Sequence, residues 1–133
     1  MKNLDELYEK YPKIFSLMSD QNHWINSHVP ETWLQTIDWL CNSIQSHINN
    51  RNENNKHLPQ IPQLICTQIK DKFGGLRFYY GGGDKECDGM ISLAETILWD
   101  TCEHCGSHDN VQNEDSHWIR RVCQKCYNKT KKS

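Results

Sequence analysis

Two cysteine pairs constrain the fold of this chain more than any other feature. Cys102 and Cys105 form one pair, Cys123 and Cys126 form the other, and the 17 residues of 106–122 separate them. A gap of two residues lets both sulfur atoms of a tight turn face one ion, and a glycine after the second cysteine frees the backbone for that turn. The spacing predicts a structural zinc ion held by four protein ligands, with no open position for substrate water.

The length of the C-terminal segment favours metal binding over a chance pairing of free cysteines. Residues 101–133 fall below the roughly 40 residues under which a unit usually needs a metal or disulfides. A zinc-binding free energy of about 10–16 kcal/mol would dominate its local stability. We therefore expect a single domain with a body over 1–100, a zinc-ribbon subdomain over 101–127 and a flexible basic tail over 128–133.

The composition is typical of a soluble globular protein. Of the 133 residues, 36% are hydrophobic and 24% are charged, and no apolar run approaches the ~18 residues that span a bilayer. Asp5 and Glu6 stand where a signal peptide has an apolar stretch. We expect a cytoplasmic protein without membrane contact, in which reduced thiols make metal binding the first explanation for seven cysteines.

Charge is distributed unevenly along the chain. Residues 1–100 carry 9 Lys/Arg against 13 Asp/Glu, and residues 101–133 carry 6 against 4. Four thiolates around a zinc ion add about −2, so the metal-loaded end is close to neutral. This balance weighs against a strongly phosphate-seeking surface.

Hydrophobic periodicity predicts an α+β fold in which helices pack on a β-hairpin. A short helix begins after Asn3 and stops at Pro12, and a longer one over about 30–49 has the strongest apolar stripe. Two β-prone runs, 64–73 and 76–80, flank a glycine pair. In the second strand one face is predicted to hold Leu76, Phe78 and Tyr80, and the other Arg77 and Tyr79.

The remaining segments predict a third helix and two connections. Asp88 is predicted to cap this helix, whose apolar side contains Met90, Ile91, Ala94, Ile97 and Leu98. Asparagine-rich residues 49–60 predict an exposed connection, and Asp84, Glu86 and Asp88 a solvated acidic loop. Outside the two pairs, the patterns favour a buried Cys41, a strand-buried Cys66 and a loop thiol at Cys87.

Nucleic-acid binding and nuclease activity are the rival functions. Zinc ribbons often bind DNA or RNA, and the candidate binding residues are Arg77, Tyr79, Trp118, Arg120 and Arg121. Residues 123–130 are similar to the second knuckle of HNH-type nucleases. That family needs a long insert with a catalytic histidine between the knuckles, whereas Asp115-Ser116-His117 is the nearest approach here, so we expect no enzyme.

Three further segments resemble a set of small uncharacterised phage and prophage proteins. Residues 69–80 read IKDKFGGLRFYY, residues 91–95 read ISLAE and residues 101–106 read TCEHCG, with Trp118 before the second cysteine pair. The resemblance covers about residues 7–126. It departs in the Asn-rich insert and in the histidine that precedes the tryptophan.

The resemblance implies a biological context rather than an activity. Small phage accessory proteins often bind and block host machinery, including CRISPR and other defence systems. The leading expectation is therefore a non-enzymatic protein that binds a host macromolecule, a protein before a nucleic acid, as an inhibitor or modulator. Its place would be the cytoplasm of an infected or lysogenic bacterium.

Overall fold

The computed structural model describes residues 2–18, 28–114 and 119–131. The fold is α+β, as predicted. Over these ranges, four α-helices accompany a two-stranded antiparallel hairpin and a second, shorter two-stranded sheet near the C-terminus. Within the described ranges, no helix is long and apolar enough to cross a membrane.

Helix α1 (Leu4–Lys10) begins as the sequence predicts. The side chain of Asn3 caps it by accepting a hydrogen bond from the backbone N–H of Glu6 at 3.3 Å. Just beyond its end, the hydroxyl of Tyr11 donates to the carboxylate of Asp38, and Lys10 Nζ lies 3.0 Å from the same carboxylate. These contacts fasten α1 to the next helix.

Helix α2 (Leu34–Asn49) follows a 3₁₀ turn (Glu31–Trp33) and continues into a π-helical turn (Asn50–Asn54). Residues 49–60 include no buried residue, as expected of an exposed connection, but the first half is helical rather than irregular. The amide of Asn52 explains the difference, since it accepts from the N–H of Ile61 at 2.8 Å and donates to the carbonyl oxygen of Ile61 at 3.0 Å. A local side-chain interaction thus orders a segment that buries little apolar area.

The hairpin consists of β1 (Ile65–Lys72) and β2 (Gly75–Gly81). Gly74 between them has a φ of +84°, a conformation that favours glycine. Leu76 and Phe78 are buried while Arg77 and Tyr79 face outward, which confirms the predicted alternation.

Helix α3 (Lys85–Trp99) starts earlier than predicted. Asp84, not Asp88, is the N-cap, and its carboxylate accepts from the backbone N–H of Cys87 at 3.0 Å. Glu86 and Asp88 lie in the first turn, where the helix dipole favours negative charge, so the predicted acidic loop is wrong. Cys87 is fully buried in this helix rather than placed in a loop. Of the predicted apolar side, Ile97 remains exposed.

The core forms two separate clusters. The larger one joins α1, α2, the hairpin and α3, and includes the fully buried Trp33, Cys41 and Cys66. The smaller one has three members, Cys102, Val122 and Cys123. Beside it β3 (Gln112–Asn113) pairs with β4 (Arg121–Val122), and α4 (Gln124–Lys131) follows, so residues 128–131 lie in a helix rather than in the predicted tail.

Candidate metal centre

The first cysteine pair lies in a tight turn directly after α3. The backbone N–H of Gly106 donates to the carbonyl oxygen of Cys102 at 2.9 Å, and the N–H of Cys102 donates to the carbonyl oxygen of Ser107 at 2.8 Å. Gly106 has a φ of +81°. The predicted need for glycine after this pair is therefore confirmed, because a side chain at this φ would be strained.

The second pair is placed by β4 and the start of α4. Cys123 follows the last residue of β4, and its carbonyl oxygen accepts from the N–H of Tyr127 at 2.9 Å. The two turns are joined by a hydrogen bond from the N–H of Glu103 to the carbonyl oxygen of Arg121, 2.9 Å long. This bond brings the two cysteine pairs face to face.

The four sulfur atoms have the spacing of a metal-binding set. All lie within 4.8 Å of one another, and Cys105 Sγ is 3.6 Å from Cys123 Sγ. In a tetrahedral site with metal–sulfur bonds of about 2.3 Å, neighbouring sulfur atoms are about 3.8 Å apart. The four cysteines that the sequence predicts as ligands therefore form a group that could hold one metal ion.

The electrostatics of the sulfur atoms fit a cation at the centre of the group. Burial alone would raise the pKa of Cys102, but hydrogen bonds from backbone N–H groups, Cys123 and Cys105 among them, outweigh it and lower this pKa to about 6. The pKa of Cys126 is raised to about 12, first by burial and then by the neighbouring thiols. Four sulfur atoms so close together cannot all ionise without a cation between them, so the set fits a metal better than it fits free thiols.

The two nearby histidines that the structure describes do not join the sulfur group. His104 and His108 are exposed, and His108 Nδ1 makes a 2.8 Å hydrogen bond to the carbonyl oxygen of Asp100. His117 lies outside the described residues, as do the other two residues of the Asp115-Ser116-His117 sequence.

Arg121, which the sequence predicts as a binding residue, is buried and makes structural contacts. The residue is 8% exposed, and its side chain donates to the carbonyl oxygens of Trp99 (3.0 Å) and Val111 (3.1 Å) and to Asn113 Oδ1 (2.9 Å). The guanidinium carbon lies 4.0 Å from the Trp99 ring centroid. A Cβ at Gly74 would come within 2.7 Å of Arg121 Cγ. Arg121 therefore joins the body to the metal centre.

The other predicted binding residues occupy separate positions. Arg77 and Tyr79 share the outward face of the hairpin with Lys70, which pairs with Arg77. Arg120 is exposed beside the second cysteine pair. Trp118 lies outside the described residues.

The structure also shows an apolar groove between α2 and α3 that the sequence analysis did not identify. A shallow cavity of about 170 Å³ lies there, and its apolar lining consists of Trp39, Leu40, Met90, Leu93, Ala94 and Ile97. Trp39, Leu93 and Ile97 are 63%, 61% and 38% exposed. A helical-wheel plot of α2 could have indicated part of this groove, because it places Trp39 outside the apolar stripe of the helix.

No protein family, curated protein or solved structure matches the chain. The class defined by fold and site is an α+β domain with a C-terminal four-cysteine centre.

Proposed function

We propose that this chain is a non-enzymatic accessory protein of the phage type, which binds a host protein as an inhibitor or modulator and contains a structural zinc ion. Zinc is the metal of choice because four cysteine thiolates in a closed tetrahedral set are its usual structural site. In this proposal the zinc orders the C-terminal segment, and binding takes place elsewhere on the surface.

The observation that carries the proposal is the exposed apolar groove between α2 and α3. Covering exposed side chains as large as Trp39 and Leu93 with a partner lowers the free energy of the complex. Tryptophan is also enriched among the residues that dominate binding energy. Both side chains line the groove together with other apolar side chains. Contiguous exposed apolar surface of this kind is typical of interaction sites.

The net charge of the two helices favours a protein partner over a nucleic acid. Helices α2 and α3 carry four acidic residues, Asp38, Glu86, Asp88 and Glu95, against a single basic one, Lys85. None of these charged residues lines the groove. The excess of negative charge weighs against binding of a phosphate backbone, and the apolar lining of the groove suits an apolar anchor residue of a protein partner.

The experiment compares variants of the groove with a matched variant elsewhere. Leu93→Asp places a charge in the groove, and Leu17→Asp makes the same change at a leucine that is 50% exposed outside it. A protein retained from host extract by the wild type and by Leu17→Asp, but lost with Leu93→Asp, is expected. With purified components, Trp39→Ala should weaken binding about 30-fold or more, the effect of a hot-spot residue. Equal binding by all variants would reject the groove as the interface.

A nucleic-acid partner has one observation in its favour. The outward face of the hairpin carries Lys70, Lys72 and Arg77 beside the exposed ring of Tyr79, a combination suited to a phosphate backbone and a stacked base. A salt-sensitive gel shift that is lost in Arg77→Ala and kept in Leu93→Asp would favour this alternative. The protein-binding proposal expects no such shift.

A further inference from the structure

A second group of metal-ligating side chains lies where α2 meets the start of α3. His47 comes from α2, Asp84 is the N-cap of α3, and Cys87 lies in its first turn. One ligand atom from each lies within 4.8 Å of the others. We call these three residues the His47 cluster. It is at the opposite end of α3 from Cys102, about 22 Å away at 1.5 Å per helical residue.

The separation of the nitrogen and oxygen ligands suits a shared ion. His47 Nε2 is 2.9 Å from Asp84 Oδ2. Two ligands that each lie about 2.0–2.1 Å from an ion are about 2.9–3.4 Å apart at bond angles between a right angle and the tetrahedral value. The pair therefore needs little movement to admit an ion, and Cys87 supplies a sulfur ligand from the protein side.

The other ring nitrogen of His47 has its own carboxylate. His47 Nδ1 is 3.3 Å from Glu86 Oε2. Metal-bound histidines almost always donate this second N–H to an outer carboxylate or carbonyl oxygen, which fixes the tautomer and raises the basicity of the ligating nitrogen. In the tautomer with the proton on Nδ1, the lone pair of Nε2 faces the carboxylate of Asp84. That contact is favourable only with a proton or a cation between the two atoms.

The cluster is closed on one side and open on the other. Cys87 is fully buried under Gly83, where an added Cβ would come within 3.4 Å of Cys87 Sγ. The side chains of His47 and Asp84 are 15% and 27% exposed, so an ion can enter from solvent. Three protein ligands then leave a fourth position for water.

We propose that His47 Nε2, the carboxylate of Asp84 and Cys87 Sγ bind a second divalent transition-metal ion of the zinc and cobalt class. A thiolate and an imidazole together select such ions over magnesium and calcium. On binding, the thiol proton of Cys87 leaves to solvent, while the neutral imidazole contributes its lone pair. With one thiolate instead of four, this ion binds more weakly than the one at the C-terminal centre. The inference is independent of the proposed binding of a host protein and rests on the proposed function only for the structural zinc that its test retains.

The experiment titrates cobalt(II) into the full chain after it has been dialysed to one zinc per molecule. Absorption follows the sulfur-to-cobalt charge-transfer band, and elemental analysis of the same samples confirms that the first zinc is retained. One further equivalent of cobalt with a thiolate band is expected. Cobalt that enters only by displacing zinc, or that binds without such a band, would overturn the proposal.

Variants assign the second ion to the His47 cluster. Cys87→Ser should remove the charge-transfer band, and His47→Gln, which keeps a polar side chain, should weaken cobalt binding at least tenfold. Glu86→Gln should weaken it about tenfold, the usual effect of an outer-sphere partner. His57→Gln is the matched control, because His57 is exposed and outside the cluster. If Cys87→Ser fails to fold by circular dichroism, unchanged affinity in both His47→Gln and Glu86→Gln would contradict the proposal.

Discussion

The body of the chain and its C-terminal segment reach an ordered structure by different means. The body surrounds a large apolar cluster in which Trp33, Ile44 and Leu64 are among the fully buried side chains. Among the described residues of the C-terminal segment, the buried apolar cluster has three members, and two of them are the cysteines Cys102 and Cys123. What serves as the core of this segment is thus the metal-binding set itself.

The stability of the two regions therefore depends on different conditions. Apolar burial stabilises the body in any aqueous buffer. The C-terminal segment has little buried apolar area, and under the proposed function four metal–sulfur bonds would offset the cost of ordering its backbone. The two regions meet at Arg121, which hydrogen-bonds the last residue of α3 and stacks on its ring.

Removal of the metal should produce the largest effect and separate the regions. A strong chelator should abolish amide-exchange protection over residues 101–131, since about 10–16 kcal/mol of apparent binding energy is lost there. Protection in α2 and the hairpin should persist. Cys123→Ser should reproduce the loss without a chelator, whereas Cys66→Ala should not. Protection of the C-terminal segment in the metal-free protein would remove the contrast between the regions.

Truncation of the core should have the next largest effect, and the body should bear it. Trp33→Ala should lower the free energy of unfolding by about 3–5 kcal/mol because it leaves a cavity at a fully buried position. Trp39→Ala, at a 63% exposed tryptophan, should change it by no more than about 0.5 kcal/mol. Urea denaturation followed by circular dichroism measures both. An equal loss of unfolding free energy in both variants would contradict the claim that the apolar cluster stabilises the body.

Substitution of Arg121 should weaken the junction between the regions. Arg121→Ala leaves the carbonyl oxygens of Trp99 and Val111 without their donor, which should cost about 2–3 kcal/mol. Arg120→Ala is the matched control at the neighbouring exposed arginine, with an expected change within about 0.5 kcal/mol. Thermal unfolding of the zinc-loaded proteins compares them. A larger loss of stability in Arg120→Ala than in Arg121→Ala would contradict the structural role of Arg121.

The smallest effect concerns the contact between α1 and α2 and depends on pH. Burial alone would raise the pKa of Asp38, but hydrogen bonds from Tyr11 and Lys10 outweigh it and hold the pKa below the ordinary value of 3.8. Because the folded pKa is depressed, this contribution is present above about pH 4 and lost as pH falls through the folded pKa.

Tyr11→Phe tests this contact. The variant should be less stable by about 1.5 kcal/mol at neutral pH, as expected for a hydrogen bond to a charged acceptor. The difference from wild type should shrink in acid below pH 4. Tyr79→Phe, at an exposed tyrosine of the hairpin, should match wild type at every pH. A Tyr11→Phe difference that grows in acid would contradict the assignment.

The sequence predicts well those parts that depend on local pattern. The clustering of the four cysteines followed from a spacing that a tight turn imposes, and the hairpin faces followed from strand alternation around Gly74. Cys41 and Cys66 were correctly placed in the core because cysteine behaves as a small hydrophobe.

The parts that could not be predicted depend on contacts between distant segments. Arg121 carries a charge, which predicts exposure, and only the packing of α3 against the second knuckle shows that three acceptors satisfy its donors. Asp84 and Asp88 are equally good caps by residue type, and the side chain of His47, 37 residues away, contacts the first of them. The groove could not be predicted from the sequence, because it forms only where α2 packs on α3.

The central claim, that protein sulfur alone saturates the C-terminal centre, is tested most directly by X-ray absorption on protein purified without added metal and dialysed against a weak chelator. The account predicts one zinc per chain with four sulfur neighbours at about 2.3 Å. A chain that retains no metal, or a zinc ion with oxygen or nitrogen in its coordination shell, would contradict it.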